Sequence, residues 1–281
     1  MRCDCHMHMI LDGYEWKAAI ARHAEKTDDA WIRQQIETYH QLGFTYLRDG
    51  GDRWGAGACA RQLAPEYGIC FRTPLSPLYK TGHYGSFIGT GFDDLRQYAM
   101  LVKSTREQGG DFIKIMISGL MDFNRFGILT EQPLPPEKIR EMIRIAHCEG
   151  MAVMAHANGA SALAAAEAGV DSIEHGAYLS PAALSAMAEN RTVWVPTLST
   201  IGNLRGTGRF DENAVAQILD GAIENIRRFA SLGGLIAPGT DAGAYAVPHG
   251  SLTEYALLEQ ALGAQTDAVI SRGIAAIRAK F

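Results

Sequence analysis

Short apolar runs alternate along this chain with longer stretches in which apolar residues recur every three or four positions. Cys3–Met9, Thr45–Arg48, Ile69–Thr73, Phe112–Ile117, Ala152–His156, Ser172–His175, Thr192–Thr197 and Leu235–Thr240 read as strands. Between them, Asp28–Leu42 carries Ile32, Ile36 and Tyr39 on one helical face, and Asp93–Gln108 carries Leu95, Tyr98, Leu101 and Val102. Trp54–Glu66, Pro136–Glu149, Ser161–Ala168, Ser180–Glu189, Asn213–Leu232, Ser251–Leu262 and Ala268–Lys280 also read as helices. Asp93 or Asp94 can cap one helix, and Ser180 followed by Pro181 starts another. Eight strands alternating with helices predict the α/β class and a (β/α)8 TIM-type barrel. An open doubly wound sheet is the alternative, but no Gly-x-Gly-x-x-Gly follows the first strand. Residues 1–281 read as one domain, with no obvious accessory β-sandwich. The long loops at 10–27, 74–92, 119–135 and 199–212 are expected to shape the substrate pocket.

Composition narrows the classes of function. Hydrophobic residues make up 47% and charged residues 20%, as in an ordinary globular enzyme. The net charge of -5, without a Lys/Arg stripe on any helix, argues against nucleic acid as a partner. No apolar stretch approaches the ~18 residues of a membrane span, and the opening residues lack a signal-peptide core. Cys3, Cys5, Cys59, Cys70 and Cys148 are odd in number and scattered, which suits a reduced, cytoplasmic protein. Cys3 and Cys5 alternate with the histidines and should point away from the barrel interior. The expected partner is a small-molecule substrate, and a homo-oligomer is left open.

Three polar clusters carry the chemistry. Asp4, His6 and His8 are spaced by two, so a strand presents all three on one face. Two imidazoles one pleat apart can hold a cation, with Asp4 supporting them from behind. Lys114 lies in the apolar run Phe112–Ile117, where an unpaired ammonium would cost several kcal/mol. It must be paired with a carboxylate, neutral or modified. Beside two metals, such an amine can add carbon dioxide and become a bridging carbamate. His156 and His175 end two successive strands, and Asp241 ends the last. A carboxylate there can bind metal and take a proton from water. A helix cap is its alternative role, although the next expected helix starts about ten residues later.

From the opening Asp-x-His-x-His to Gly239-Thr240-Asp241, the chain resembles the amidohydrolase superfamily. Gly169-Val170-Asp171-Ser172-Ile173-Glu174-His175-Gly176, Val195-Pro196-Thr197-Leu198 and Gly239-Thr240-Asp241-Ala242-Gly243 ahead of Pro248-His249-Gly250 are similar to its prolidase-like and imidazolonepropionase-like branch. Asn158 stands where that branch often has a histidine. The resemblance implies two divalent ions, with zinc expected. His6 and His8 would hold the more buried ion, His156 and His175 the more exposed one, carboxylated Lys114 would bridge them, and Asp241 would be ligand and general base. It implies hydrolysis of a peptide-like, N-acyl or cyclic amide by a metal-bridging hydroxide. By analogy His83 and Tyr178 would stabilise the oxyanion, and Arg125 or Arg205 would meet a substrate carboxylate. Rival readings are a lactonase, esterase or phosphoesterase on the same metals, a one-metal deaminase, and a non-catalytic binding barrel.

Overall fold

The computed structural model describes residues 2–281. Ten strands run in chain order: β1 Arg2–Met7, β2 Phe44–Asp49, β3 Cys70–Arg72, β4 Leu78–Lys80, β5 Thr90–Phe92, β6 Ile113–Met116, β7 Val153–Ala157, β8 Ser172–His175, β9 Val193–Val195 and β10 Leu235–Ile236. They form two sheets, ordered β1-β2-β3 and β10-β9-β8-β7-β6-β4-β5, with every strand pairing parallel. All eight expected strands are present, and the chain is α/β. Two short strands were not expected: β4 and β5 lie within the loop after β3, and β4 pairs with β6.

The helices are α1 Trp16–His23, α2 Asp29–Gln41, α3 Ala56–Leu63, α4 Leu95–Glu107, α5 Pro136–Cys148, α6 Ala160–Glu167, α7 Pro181–Glu189, α8 Ser199–Gly202, α9 Glu212–Ser231, α10 Thr253–Leu262 and α11 Thr266–Lys280. Side-chain oxygens hold their first turns as the sequence suggests. The Asp94 carboxylate accepts from Gln97 N at 2.8 Å, and the Ser180 hydroxyl accepts from Ala183 N at 3.2 Å. Strands β6 to β9 are buried along their whole length, so the polar side chains they carry, Lys114, His156, Ser172, Glu174 and His175, are buried as well. No helix among the described residues is long and apolar enough to cross a membrane.

Backbone bonds also cross the outer edges of the two sheets. Cys5 N donates to Pro238 O at 2.9 Å, Asp241 N to His6 O at 2.7 Å, and His8 N to Ala242 O at 2.7 Å. These tie β1 to the segment that follows β10. On the other side Asp111 N donates to Thr73 O at 3.0 Å, tying the end of β3 to the start of β6. Cys3 and Cys5 are buried in a cluster with Ile277 and Phe281 and are free thiols. The expectation that they turn away from the interior is not met: the same cluster holds Tyr46, Phe112, Met154, Val193 and Val195, and Phe112 and Met154 share the face of Lys114. Register shifts in β1 between Arg2 and Cys3 and between Asp4 and Met7 break the simple alternation on which that expectation rests.

Helix α11 packs tightly over β10: a Cβ added at Gly273 would lie 1.9 Å from Ile236 O. Alanine is the better helix former by ~1 kcal/mol, yet overpacking a core typically costs about 1–3 kcal/mol. Gly273→Ala is therefore expected to lower the denaturation midpoint. An unchanged or raised midpoint would show that α11 moves outward freely.

Candidate metal centre and active site

The strand ends bring six of the expected side chains to one cavity of about 690 Å³: His6, His8, Lys114, His156, His175 and Asp241 all line it. Each of the six is buried. His6 Nε2 lies 3.3 Å from His8 Nε2 and 3.5 Å from Asp241 Oδ1, and His8 Nε2 lies 3.2 Å from the same oxygen. His175 Nδ1 is 3.9 Å from Asp241 Oδ2. His6, His175 and Asp241 each offer a ligand atom, and these atoms lie within 4.8 Å of one another. The His156 ring packs on His175 with centroids 4.4 Å apart, and its Nε2 meets Gly119 O at 3.2 Å.

Backbone strain accompanies this convergence. His175, Thr197 and Asp241 adopt positive φ of 66°, 50° and 57°. Non-glycine residues rarely hold that conformation unless their surroundings over-determine it. The surroundings here are specific. Thr197 Oγ1 meets His175 Nδ1 at 2.8 Å, and Asp241 is fixed through its backbone N–H to His6 O at 2.7 Å. Asp4 accepts from Thr240 N at 2.9 Å and from His6 N at 3.3 Å, so it braces the residue beside Asp241. Burial raises the Asp4 carboxyl to about 7.

The electrostatics favour neutral imidazoles. Burial, then the Lys114 charge, holds His6 well below the usual imidazole range. Burial and then His156 do the same for His175, and burial followed by Lys114 lowers His156 to about 3. A neutral imidazole has the lone pair that a metal requires. Burial also brings Lys114 down to about 8, against the pull of Glu174 and Asp241. Its Nζ has no hydrogen-bond partner, and neither have His8 Nδ1 and Asp241 Oδ1. Buried polar atoms are normally paired. Three orphans on one cavity, among neutral imidazoles and a carboxylate, fit a site built around divalent cations.

A buried strut behind His6 was not foreseen from the sequence. Glu174 Oε2 lies 2.7 Å from His6 Nδ1, and Glu174 Oε1 accepts from Arg48 NH2 at 2.8 Å and from Ser172 Oγ. Arg48 also donates to Cys5 O at 2.7 Å and lies over the Phe281 ring at 4.3 Å. With its Nδ1–H held by the carboxylate, His6 presents the Nε2 lone pair to the cavity. Glu174→Gln can pair with either tautomer, so divalent-cation affinity should fall roughly 10- to 100-fold. Ser172→Ala leaves the His6 contact intact and should lower affinity far less. Competition with a chromogenic chelator measures both, and equal losses would overturn the tautomer argument.

The structure places the remaining candidates elsewhere. His83 lies beside Glu131, Nδ1 to Oε1 3.8 Å, and does not line the cavity. Tyr178 lines a neighbouring cavity of about 240 Å³ that shares His175 and Met121 with the first. Arg125 is paired with Asp122 at 2.6 Å, and neither it nor Arg205 reaches the cavity wall. Asn158 does line the cavity, its Nδ2 3.4 Å from His156 Nε2, and it also donates to Gly119 O at 3.0 Å and accepts from Ala177 N at 2.8 Å. Tyr84 is the aromatic neighbour of the centre, its ring 4.9 Å from that of His156.

The parallel α/β fold gathers imidazoles, a lysine and an aspartate at its strand ends. Its structural neighbours are prolidase-like and amidohydrolase-family proteins, in line with the resemblance read from the motifs. A Xaa-Pro dipeptidase with methionine in its active site superposes with a TM-score of 0.75 at 21% identity, over 99% of this chain and 75% of that one. Ochratoxinase from Aspergillus niger superposes with a TM-score of 0.73 at 21% identity, over 99% of this chain and 69% of that one. A prolidase complexed with N-methylphosphonate-L-proline gives 0.65 at 20%, over 99% and 71%. These likenesses are of fold. In sequence, the chain is 25% identical to Aspergillus niger ochratoxinase over 237 residues, 70% of this chain. It spans about half the length, 47%, of the curated relatives it matches. No family model matches the chain.

Proposed function

We propose that this chain is a metal-dependent hydrolase of amide bonds in small molecules. The observation that carries the reading is the convergence of His6, His8, Lys114, His156, His175 and Asp241 on one cavity, with the Lys114 amine left without a partner. The backbone bonds at both sheet edges support a closed (β/α)8 barrel, whose strand ends conventionally carry catalytic groups. The proteins named above include a dipeptidase, a prolidase and an ochratoxinase, which favours carbon–nitrogen bonds.

The four imidazoles and Asp241 would hold two divalent ions, zinc being the expected metal. Bound there, the ions supply Lewis acidity toward the amide carbonyl and acidify water to near neutrality. The rest falls to the chain itself. Asp241, whose Oδ1 has no hydrogen-bond donor of its own, takes a proton from water and passes it to the leaving nitrogen. An amide nitrogen leaves poorly without that proton. The Lys114 ammonium would lose one proton, and its amine would add carbon dioxide, forming an N–C bond with release of a second proton, so that a cation becomes a carbamate anion suited to a site for dications. Glu174 and Thr197 keep His6 and His175 oriented throughout.

Two measurements test the reading. Elemental analysis of protein made with ample zinc and bicarbonate should approach two metal equivalents, and one equivalent with unmodified Lys114 would overturn the two-metal part. Zinc- or manganese-loaded protein should then cleave members of a panel of dipeptides, N-acyl amino acids and lactams. Turnover confined to lactones or esters would overturn the amide part.

A further inference from the structure

Beyond the catalytic floor, the cavity has a wall of rings and one unclaimed cation. The rings form a continuous series. Tyr84 lies 4.9 Å from the floor residue His156, Phe87 lies 5.6 Å from Tyr84, and Trp16 lies 6.0 Å from Phe87. A second group comes from other loops: the Phe123 ring is 5.3 Å from Phe210, and the Arg209 guanidinium lies 3.9 Å from the Tyr245 ring and 5.6 Å from Phe210. Exposure rises from floor to mouth, with Asp241 at 8%, Tyr245 at 44% and Trp16 at 47%. At about 690 Å³ the cavity is the size of pockets that enclose a drug-sized molecule.

The charged groups of the outer wall differ in how far they are already engaged. Asp122 is paired with Arg125 at 2.6 Å, and Glu15 accepts from Lys17 N at the start of α1. Among the described residues, no carboxylate pairs with Arg209. Its guanidinium lies over the Tyr245 ring and near that of Phe210 at the mouth, and its planar fork of donors suits a carboxylate.

We propose that Arg209 reads an anionic group on the substrate. The substrate class is then an amide with a flat aromatic body against the rings and a carboxylate at the mouth, its scissile bond on the floor. This inference rests on the amide-hydrolase reading for its scissile bond, whereas the anion site itself can be tested by binding alone.

The test uses two matched pairs: naphthoylglycine with naphthoylglycinamide, and succinyl-naphthylamine with its terminal amide. The pairs place the carboxylate on either side of the scissile bond. Binding is measured by fluorescence on metal-free protein, which separates recognition from catalysis. In at least one pair the acid should bind more tightly than the amide. Arg209→Met should erase that preference, weakening the acid roughly 10- to 100-fold, as loss of a charged hydrogen-bonded contact does, and leaving the amide unchanged. Arg209→Lys, which keeps the charge without the fork, should restore part of the loss. On loaded protein the same change should appear in KM rather than kcat. Equal binding of acid and amide to the wild-type protein, or a preference that survives Arg209→Met, overturns the proposal. A preference lost as expected, without turnover of any amide, overturns the hydrolase reading and keeps the anion site.

Discussion

Asp241→Asn is expected to lower kcat by ~10²–10⁴ on whatever amide proves to be the substrate, the range that general acid–base groups typically contribute. The replacement keeps the shape of the side chain and the backbone bond to His6 O at 2.7 Å, so the strained φ of 57° should survive. A neutral amide can neither accept the proton from water nor hand it to a departing nitrogen. The thermal midpoint of metal-free protein should accordingly move little while turnover collapses. An Asp241→Asn variant that binds metal and keeps wild-type kcat would show that another group is the base.

Lys114→Met should abolish activity and also make the metal-free protein more stable. The amine is 1% exposed and has no hydrogen-bond partner. Burial brings it to about 8 in the fold from 10.5. Between those values the unfolded chain binds more protons than the folded one, so wild-type stability rises with pH. Below pH 8 the fold must carry the buried charge, at a cost on the order of 3 kcal/mol from 1.36 kcal/mol per pH unit. Methionine fills similar volume without charge. The variant's advantage in urea denaturation should be greatest at pH 7 and should shrink as pH climbs to 10.5. A less stable Lys114→Met protein at pH 7 would mean that the lysine is a structural group rather than a poised functional one. Stability gained with loss of function is the usual mark of a site that keeps strained or uncompensated groups for its chemistry.

The metal-centre candidates were legible because local pattern fixes them. The period-two spacing of His6 and His8 places both on one cavity, and the apolar run around Lys114 reports its burial, whereas Asp4 does not line that cavity and turns to Thr240. Strands and helices followed for the same reason, with Asp94 and Ser180 marking their starts. Short elements inside the long loops were not legible: β4 and β5 take their order from pairing with each other and with β6, and α1 is a two-turn helix within the loop after β1. The same holds for loop side chains. His83 and Tyr178 sit in suggestive positions along the sequence, yet loop geometry carries one to Glu131 and the other to the adjoining cavity. Glu174 lies 168 residues from His6 and 126 from Arg48, so no local signal connects the strut. Arg209 resembles any solvated arginine until Tyr245 and Phe210 are brought beneath it.

The bonds between β1 and the segment after β10 bear on how the protein comes into being. Asp4 and Thr240 are 236 residues apart in sequence but hydrogen-bonded in space. During synthesis His6 and His8 are made long before Asp241, so the proposed centre stays incomplete until the segment after β10 is made. Contacts of such long separation form late, because the loop they close must first be ordered. An intermediate stalled before that seam joins would hold the imidazoles and the lysine of the proposed centre without Asp241 in place. On the proposed reading, catalytic competence would report that this seam has closed, and an activity time course during refolding should lag behind the recovery of helical signal.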